Sequence, residues 1–321
     1  MENDVDFWIM NYPVTTAVID VLDVDLHNIG PAPDYIQLWK EIESLKSNST
    51  ILSTYSYTLI VCDLCECPAL RQELGRQREI TFRQAGESTG LPLDIDRYDD
   101  YYDQLIIWDH NANRLVGGYR FGSGNKIYST YGREGFYINS LFEIAPEFDE
   151  YLPKCLELGR SFIVKDYQRK TLPLYLLWKG ILAYQLRNPQ FQYLMGSVSI
   201  SRVYSDFSKQ VLMEYAGKHF FHKEFAKWFR PRIPFDPALS QEDRSSVVTE
   251  GKTENLSQII DTIRPEHIRF PILMKQYIRQ NARFLGFNLD PQFNDALDGL
   301  MILDIADVPD ETMQLLQREM I

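Results

Sequence analysis

The spacing of apolar positions changes along the chain, and each change marks an element. From Tyr55, "YSYTLIVCDL" is dense in aromatic and β-branched residues and predicts a strand. Leu70, Leu74, Ile80 and Phe82 then recur at loose helical spacing in "CPALRQELGRQREITFRQAG", which predicts a helix stopped by Gly86. Strands are expected over 104–108 and 114–121, with the turn "DHNAN" making them a hairpin. "FYINSLFEI" and "CLELGRSFIV" are two further strand candidates. Over 172–187, Pro173 sits in the first turn and Leu174, Leu177, Ile181 and Tyr184 form an apolar stripe, so a helix is expected. "FQYLMGSVSI" predicts a strand and "SRVYSDFSKQVLMEYAGKHF" a helix. The remainder reads as a helix at "PILMKQYIRQNARFLG", an irregular "FNLDPQFND" and a final strand at "LDGLMILDIADV".

Strands and helices alternate irregularly around a hairpin, so the expected class is α/β, a mixed central β-sheet flanked by helices on both faces. The last helix and strand cannot bury their own faces and should return to that sheet. Residues 1–50 read as an N-terminal extension packed on the main body, and 51–321 as the principal domain. Within it, the polar run at about 236–264 reads as an exposed excursion.

Composition narrows the class. A chain of 321 residues, 45% hydrophobic and 13% aromatic, can bury a large core. Its net charge of -12 argues against a nucleic-acid binder, which needs a basic excess for phosphate. No apolar run approaches the roughly 20 residues of a membrane-spanning helix. The start, "MENDVDFWIM", lacks a signal-peptide pattern, so the expectation is a cytoplasmic protein, with peripheral contact at the inner face of the membrane as the alternative placement. The four cysteines, at 62, 65, 67 and 155, are too few and too unevenly placed for a disulfide framework. "CDLCEC" lacks the second ligand pair of a zinc site, and "HFFH" lacks a third ligand, so no metal is expected.

Candidate chemistry lies in charged residues at strand ends and beside aromatic positions. These are Arg78 four before Phe82, the group Asp99, Asp100 and Asp103, Arg120 after "VGGY", and Glu157 with Arg160. Singly, each has a structural explanation: a shared helix face, a turn cap or an ion pair. Together they resemble a known pattern. "RQREITF", "RYDDYYDQLIIWD", "LVGGYRF", "LELGRSFIVKDYQ" and "LYLLWKGI" are similar to the GNAT-fold N-acyltransferases once given a "hemolysin" label, which include bacterial ornithine- and glycine-acylating enzymes of amino-acid-lipid synthesis. More distantly, the chain resembles acyl-homoserine-lactone synthases. In those an Arg-x-x-x-Phe, a pair of Asp, a Gly-x-Arg and a Glu-x-x-Arg recur in this order. The matching positions are Arg78 with Phe82, two of Asp99, Asp100 and Asp103, Arg120, and Glu157 with Arg160. The resemblance spans roughly 57–230 and extends to the tail "FLGFNLDPQFNDALDGLMILDI".

The resemblance implies a GNAT fold, in which two adjacent strands splay so that a pantetheine arm bonds to freed backbone amides, and a following helix N-terminus meets phosphate. Ser161, Phe162, Ile163 and Val164 would be the strand, and Gln168, Arg169, Lys170 and Thr171 the loop, of that donor site. Where the usual loop has two small residues after Gln, this chain has Thr171 and Pro173. A coenzyme A pyrophosphate needs the close approach that glycine permits, whereas acyl carrier protein presents a single phosphate. The implied donor is therefore acyl carrier protein ahead of acyl-CoA, with no permanently bound cofactor. "KDYQRK" and the basic residues Lys218, Lys223, Lys227, Arg230 and Arg232 would dock that acidic partner.

The implied reaction is transfer of a long-chain acyl group, 3-hydroxyacyl included, to the amine of a glycine- or ornithine-like amino acid, glycine first. Glu157 is the first candidate for general base and Asp103 the second. Arg160 would orient Glu157 or hold the acceptor carboxylate. Arg78, Phe82, Asp99, Asp100 and Arg120 are the remaining substrate-contact candidates. The alternatives are O-acyl transfer to a lysolipid or hydroxy acceptor, and a non-catalytic, membrane-associated acyl-binding protein.

Overall fold

The structure is a computed structural model that describes residues 26–236 and 271–314. Helix α1 (Tyr35–Ser49) is capped by Asp34, whose side chain accepts the Gln37 N–H. The Glu41 carboxylate of α1 accepts the N–H groups of Ala69 and Leu70 at 3.2 and 2.8 Å, satisfying orphan donors at the start of α2 (Pro68–Ala85). α2 ends at Gly86, which takes the left-handed conformation at φ 76°. The first half of the expected N-terminal extension, 1–25, lies outside the described residues.

One large sheet organises the chain. Its strands are β1 (Thr50–Thr54), β2 (Tyr57–Cys62), β3 (Asp103–Asp109), β4 (Arg114–Ser123), β6 (Cys155–Ile163), β7 (Tyr193–Ile200), β9 (Arg283–Asp290) and β10 (Ala296–Asp304), in the order β1-β2-β3-β4-β6-β7-β10-β9. A small second sheet pairs β5 (Phe142–Ile144) with β8 (Phe229–Pro231). Every neighbour in the large sheet is antiparallel except β6 and β7, which are parallel and joined by α5 (Thr171–Arg187). β3 and β4 are buried along almost their whole length, so both faces of the sheet are covered. Along β10 the faces separate: Leu297, Met301 and Leu303 join a core with Leu177 and Ile181 of α5, while Leu300 and Ile302 join one with Phe136 and Phe142. The remaining helices are α3 (Gly124–Tyr131), α4 (Ile138–Leu141), α6 (Asp206–His219) and α7 (Ile272–Arg279).

The expected hairpin, the helix over 172–187 and the return of the last elements to the main sheet are all present. Three expectations are corrected. "FYINSLFEI" is mostly not strand: Ile138–Leu141 is a helical turn and β5 keeps only the last three residues. Its apolar residues point into a core, but its first amides are captured by a carboxylate, as shown below. The helix expected through 286 stops at Arg279, where Asn281 takes φ 70°, and the rest pairs with β10 as β9. "FNLD", read as irregular, completes that strand. β1, which the pattern of apolar positions did not single out, forms the edge beside β2. The polar excursion lies almost wholly outside the described residues.

Candidate active site where two strands part

β6 and β7 are in register at only three positions, Cys155 with Tyr193, Leu156 with Leu194 and Glu157 with Met195. Beyond Glu157 they diverge, while β6 stays paired with β4 as far as Ile163. Gly196 stands at the parting: a Cβ there would lie 2.1 Å from the Leu158 carbonyl oxygen, so only glycine lets β6 approach before it turns away. Arg160 then adopts φ 50° where the β4–β6 register shifts, a left-handed bulge that re-aims its side chain. The result is a cleft lined by Leu158–Ser161 of β6, Leu194–Val198 of β7, and Tyr119, Leu273 and Tyr277. A second, apolar space between α5 and α7 adjoins it, lined by Leu174, Leu177, Trp178 and Ile181 and sharing Tyr119, Leu273 and Tyr277.

Glu157 sits at the parting, 2% exposed. Its carboxylate accepts the Tyr102 hydroxyl, the Tyr137 N–H at 3.2 Å and the Ile138 N–H at 2.8 Å. Burial pushes its pKa up to about 7 against the pull of those donors. Tyr137 links this acid to Arg160, because its ring lies 5.1 Å from that guanidinium. The Phe293 ring lies 4.8 Å from the guanidinium and packs edge-on against Phe82.

Arg160 also ends a ladder of buried charge. It pairs with Asp94 at 3.0 Å and Asp96 at 3.3 Å; Arg120 pairs with Asp96 at 2.7 Å and Asp99 at 3.3 Å; Arg78 pairs with Asp99 at 2.8 Å and donates to Gln104 at 2.5 Å. Burial would raise the Asp99 carboxyl, but Arg78 and Arg120 hold it well below the usual range. Arg78, Asp99 and Arg120 are almost fully buried by one another, so they hold the site's wall in shape. The chain of acids ends at Asp94 and Asp96, which the sequence reading did not single out although "LDIDRYDD" spaces acids two apart.

The structure brings Arg78, Phe82, Asp99, Arg120, Glu157 and Arg160 together and separates two residues proposed with them. Asp100 faces outward and pairs with Arg71 on the surface. Asp103, the second candidate for general base, has Lys126, Asp63 and Tyr184 for neighbours and no contact with Glu157, because successive residues 102 and 103 at the start of β3 point to opposite faces. Cys155 is a buried thiol raised further by that burial, which leaves it inert as a nucleophile.

Of the expected donor residues, Ser161 lines the cleft, Phe162 is core, and Ile163 pairs with Gly117. The Val164 N–H is spent on the Val116 carbonyl at 2.9 Å, so it is no free amide for a donor. Gln168 donates back to the Ile163 carbonyl, while Arg169 and Lys170 are exposed just before α5 begins at Thr171. The two expected docking segments do not form one patch. The 165–170 turn follows the last residue of β6, whereas the stretch after α6 reaches the sheet at Phe221 beside Phe284, level with the first residues of β6.

A family model described as an acetyltransferase (GNAT) domain matches residues 77–178, from within α2 to within α5, a segment that carries Arg78, Phe82, Asp99, Arg120, Glu157 and Arg160. A glycine N(alpha)-acyltransferase of Bacteroides thetaiotaomicron is 29% identical over 255 residues, 75% of this chain and 75% of its own length. A second protein of that name, from Phocaeicola vulgatus, is 27% identical over 257 residues, 76% of this chain and 78% of its own. Among solved structures, a CoA-dependent acyl-homoserine lactone synthase with SAM and isopentyl-CoA overlaps 71% of this chain and 69% of its own at 14% identity, with a TM-score of 0.34.

Proposed function

We propose that this chain, an acyltransferase built on a GNAT domain, transfers a long-chain acyl group from a carrier-protein thioester to the amine of an amino acid, glycine first. The observation that carries the reading is the parting of β6 from β7 beyond Glu157, with an apolar space adjoining the cleft. Strand edges freed of sheet partners offer amides to a pantetheine arm and to the thioester oxygen. The acyl chain enters the space between α5 and α7, where leucine, isoleucine and tryptophan replace water. Amine attack on the thioester needs no covalent enzyme intermediate, and the cleft supplies proximity.

The donor's phosphate meets Arg169, Lys170 and the first amides of α5. Thr171 and Pro173 occupy the positions where small residues would admit a pyrophosphate, which favours the single phosphate of a carrier protein over coenzyme A. The chain would therefore act early in synthesis of an amino-acid lipid. Among the described residues no helix is long and apolar enough to cross a membrane.

Glu157 serves this reading as a positioning residue. Its two oxygens accept three donors, two of them the Tyr137 and Ile138 amides, and so fix that segment against Arg160. Release of free thiol from long-chain acyl carrier protein on adding glycine tests the reaction. The same assay with acyl-CoA tests the donor, and faster turnover with acyl-CoA would overturn the carrier-protein assignment.

A further inference from the structure

We propose that Asp298 receives the acceptor's ammonium group and takes its proton, an assignment that rests on the N-acyl-transfer reading above. Asp298 lies on β10 opposite Ser199 of β7 and is 3% exposed. Among the described residues its carboxylate accepts one hydrogen bond, from the Ser199 hydroxyl at 2.8 Å. The contrast with the other buried acids of this region is large: Glu157 has three donors, and Asp99 has two arginines and a backbone amide. A buried carboxylate with one donor is costly, and such groups mark sites where a ligand completes the set.

A second, independent vacancy for a donor lies beside it. Among the described residues the buried Ser197 hydroxyl oxygen has no hydrogen-bond partner, and it lines the cleft, two residues before Ser199 and so on the same face of β7. The half-satisfied acid calls for N–H donors and the hydroxyl oxygen beside it can accept one, which an ammonium supplies to both. The charged and titratable groups around Asp298 are Asp290 on β9, Arg160 on β6, Tyr137 before α4, Glu87 after α2, and Lys209 on α6 beside Glu87. Burial first, and Asp290 second, push the Asp298 carboxyl up to about 7, which suits a group that takes and sheds a proton near neutrality.

The steps balance. The ammonium gives one proton to Asp298, and the freed amine attacks the thioester carbonyl carbon to form the C–N bond. The C–S bond breaks with its electron pair leaving on sulfur, and sulfur takes the second nitrogen proton to become the free thiol. One proton stays on the amide nitrogen, and Asp298 releases its own to solvent.

The test uses the full chain, a long-chain acyl carrier protein donor and two acceptors: glycine, whose nitrogen is protonated near neutral pH, and aminooxyacetate, whose nitrogen is not. Asp298→Asn should lower kcat/KM with glycine by about 100-fold or more, the usual worth of a general base, and with aminooxyacetate by only a few-fold. Ser199→Ala removes the one bond that favours the ionised acid, and should move the acidic limb of the glycine pH profile upward without moving that for aminooxyacetate. Equal losses with both acceptors in Asp298→Asn, or an unmoved limb in Ser199→Ala, would overturn the assignment. Wild-type protein that acylates neither acceptor would instead overturn the N-acyl-transfer reading, and the assignment with it.

Discussion

The Ile138 N–H donates to the Glu157 carboxylate at 2.8 Å, so an acid on a central strand ties down the segment that lays Tyr137 against Arg160. Glu157→Gln replaces one accepting oxygen with an NH2 that faces other donors. Hydrogen exchange at the Tyr137 and Ile138 amides is expected to speed up, with turnover falling and the rest of the sheet still protected. Unchanged exchange at those two amides would remove the positioning role.

The same buried acid sets a pH dependence of stability. Its folded pKa of about 7 lies above the ordinary 4.5, so the folded state holds a proton that the unfolded state has released. That contribution is fully present below about 4.5 and is lost as pH rises through about 7. Urea unfolding between pH 5 and 7 should therefore show stability falling with pH by up to about 1.4 kcal/mol per unit from this group. Asp298, raised for the same reason, adds a slope of the same sign. Glu157→Gln should flatten the profile; the same slope in that variant would assign it elsewhere.

Asp99 and Asp100 are neighbours with opposite fates. Asp99→Asn strips a buried partner from Arg78 and Arg120 and is expected to cost on the order of 3–5 kcal/mol of unfolding free energy. Asp100→Asn breaks a surface pair with Arg71 and should cost about 1 kcal/mol or less. Comparable losses in the two variants, read from urea midpoints, would mean that the ladder carries no special load.

At the parting of the strands, Gly196→Ala places a methyl group against the Leu158 carbonyl. Backbone cannot yield as a flexible side chain can, so β6 and β7 must shift. Activity is expected to fall well before the melting temperature does, because the cleft depends on where the strands separate. A variant that keeps full activity would show that the position of the parting is not critical.

Docking through the 165–170 turn makes a salt-dependent prediction. Arg169→Glu with Lys170→Glu should raise KM for acyl carrier protein about tenfold or more at low salt, with the gap from wild type narrowing as salt rises. No change in KM would place the carrier protein elsewhere.

The hairpin, the crossover helix and the strand that carries Glu157 were legible because each is a run of one period bounded by turn residues or charge. "FYINSLFEI" misled because the preference for helix at 138 comes from a carboxylate 19 positions away, which no local pattern records. β9 was hidden inside a helical pattern, since what makes it a strand is the free edge of β10. In the site, Arg78, Asp99, Arg120, Glu157 and Arg160 could be picked out by residue type and order. Asp298 could not, because its burial and its single hydrogen bond arise only when β10 is laid beside β7.

The central claim is amino-acid N-acylation, and the most direct measurement is mass spectrometry of the products formed by the purified full chain from long-chain acyl carrier protein and a panel of amino acids led by glycine. An N-acylated amino acid formed in step with free thiol is the result expected. Intact thioester across the whole panel, or acyl transfer to a hydroxyl acceptor in place of any amine, would contradict it.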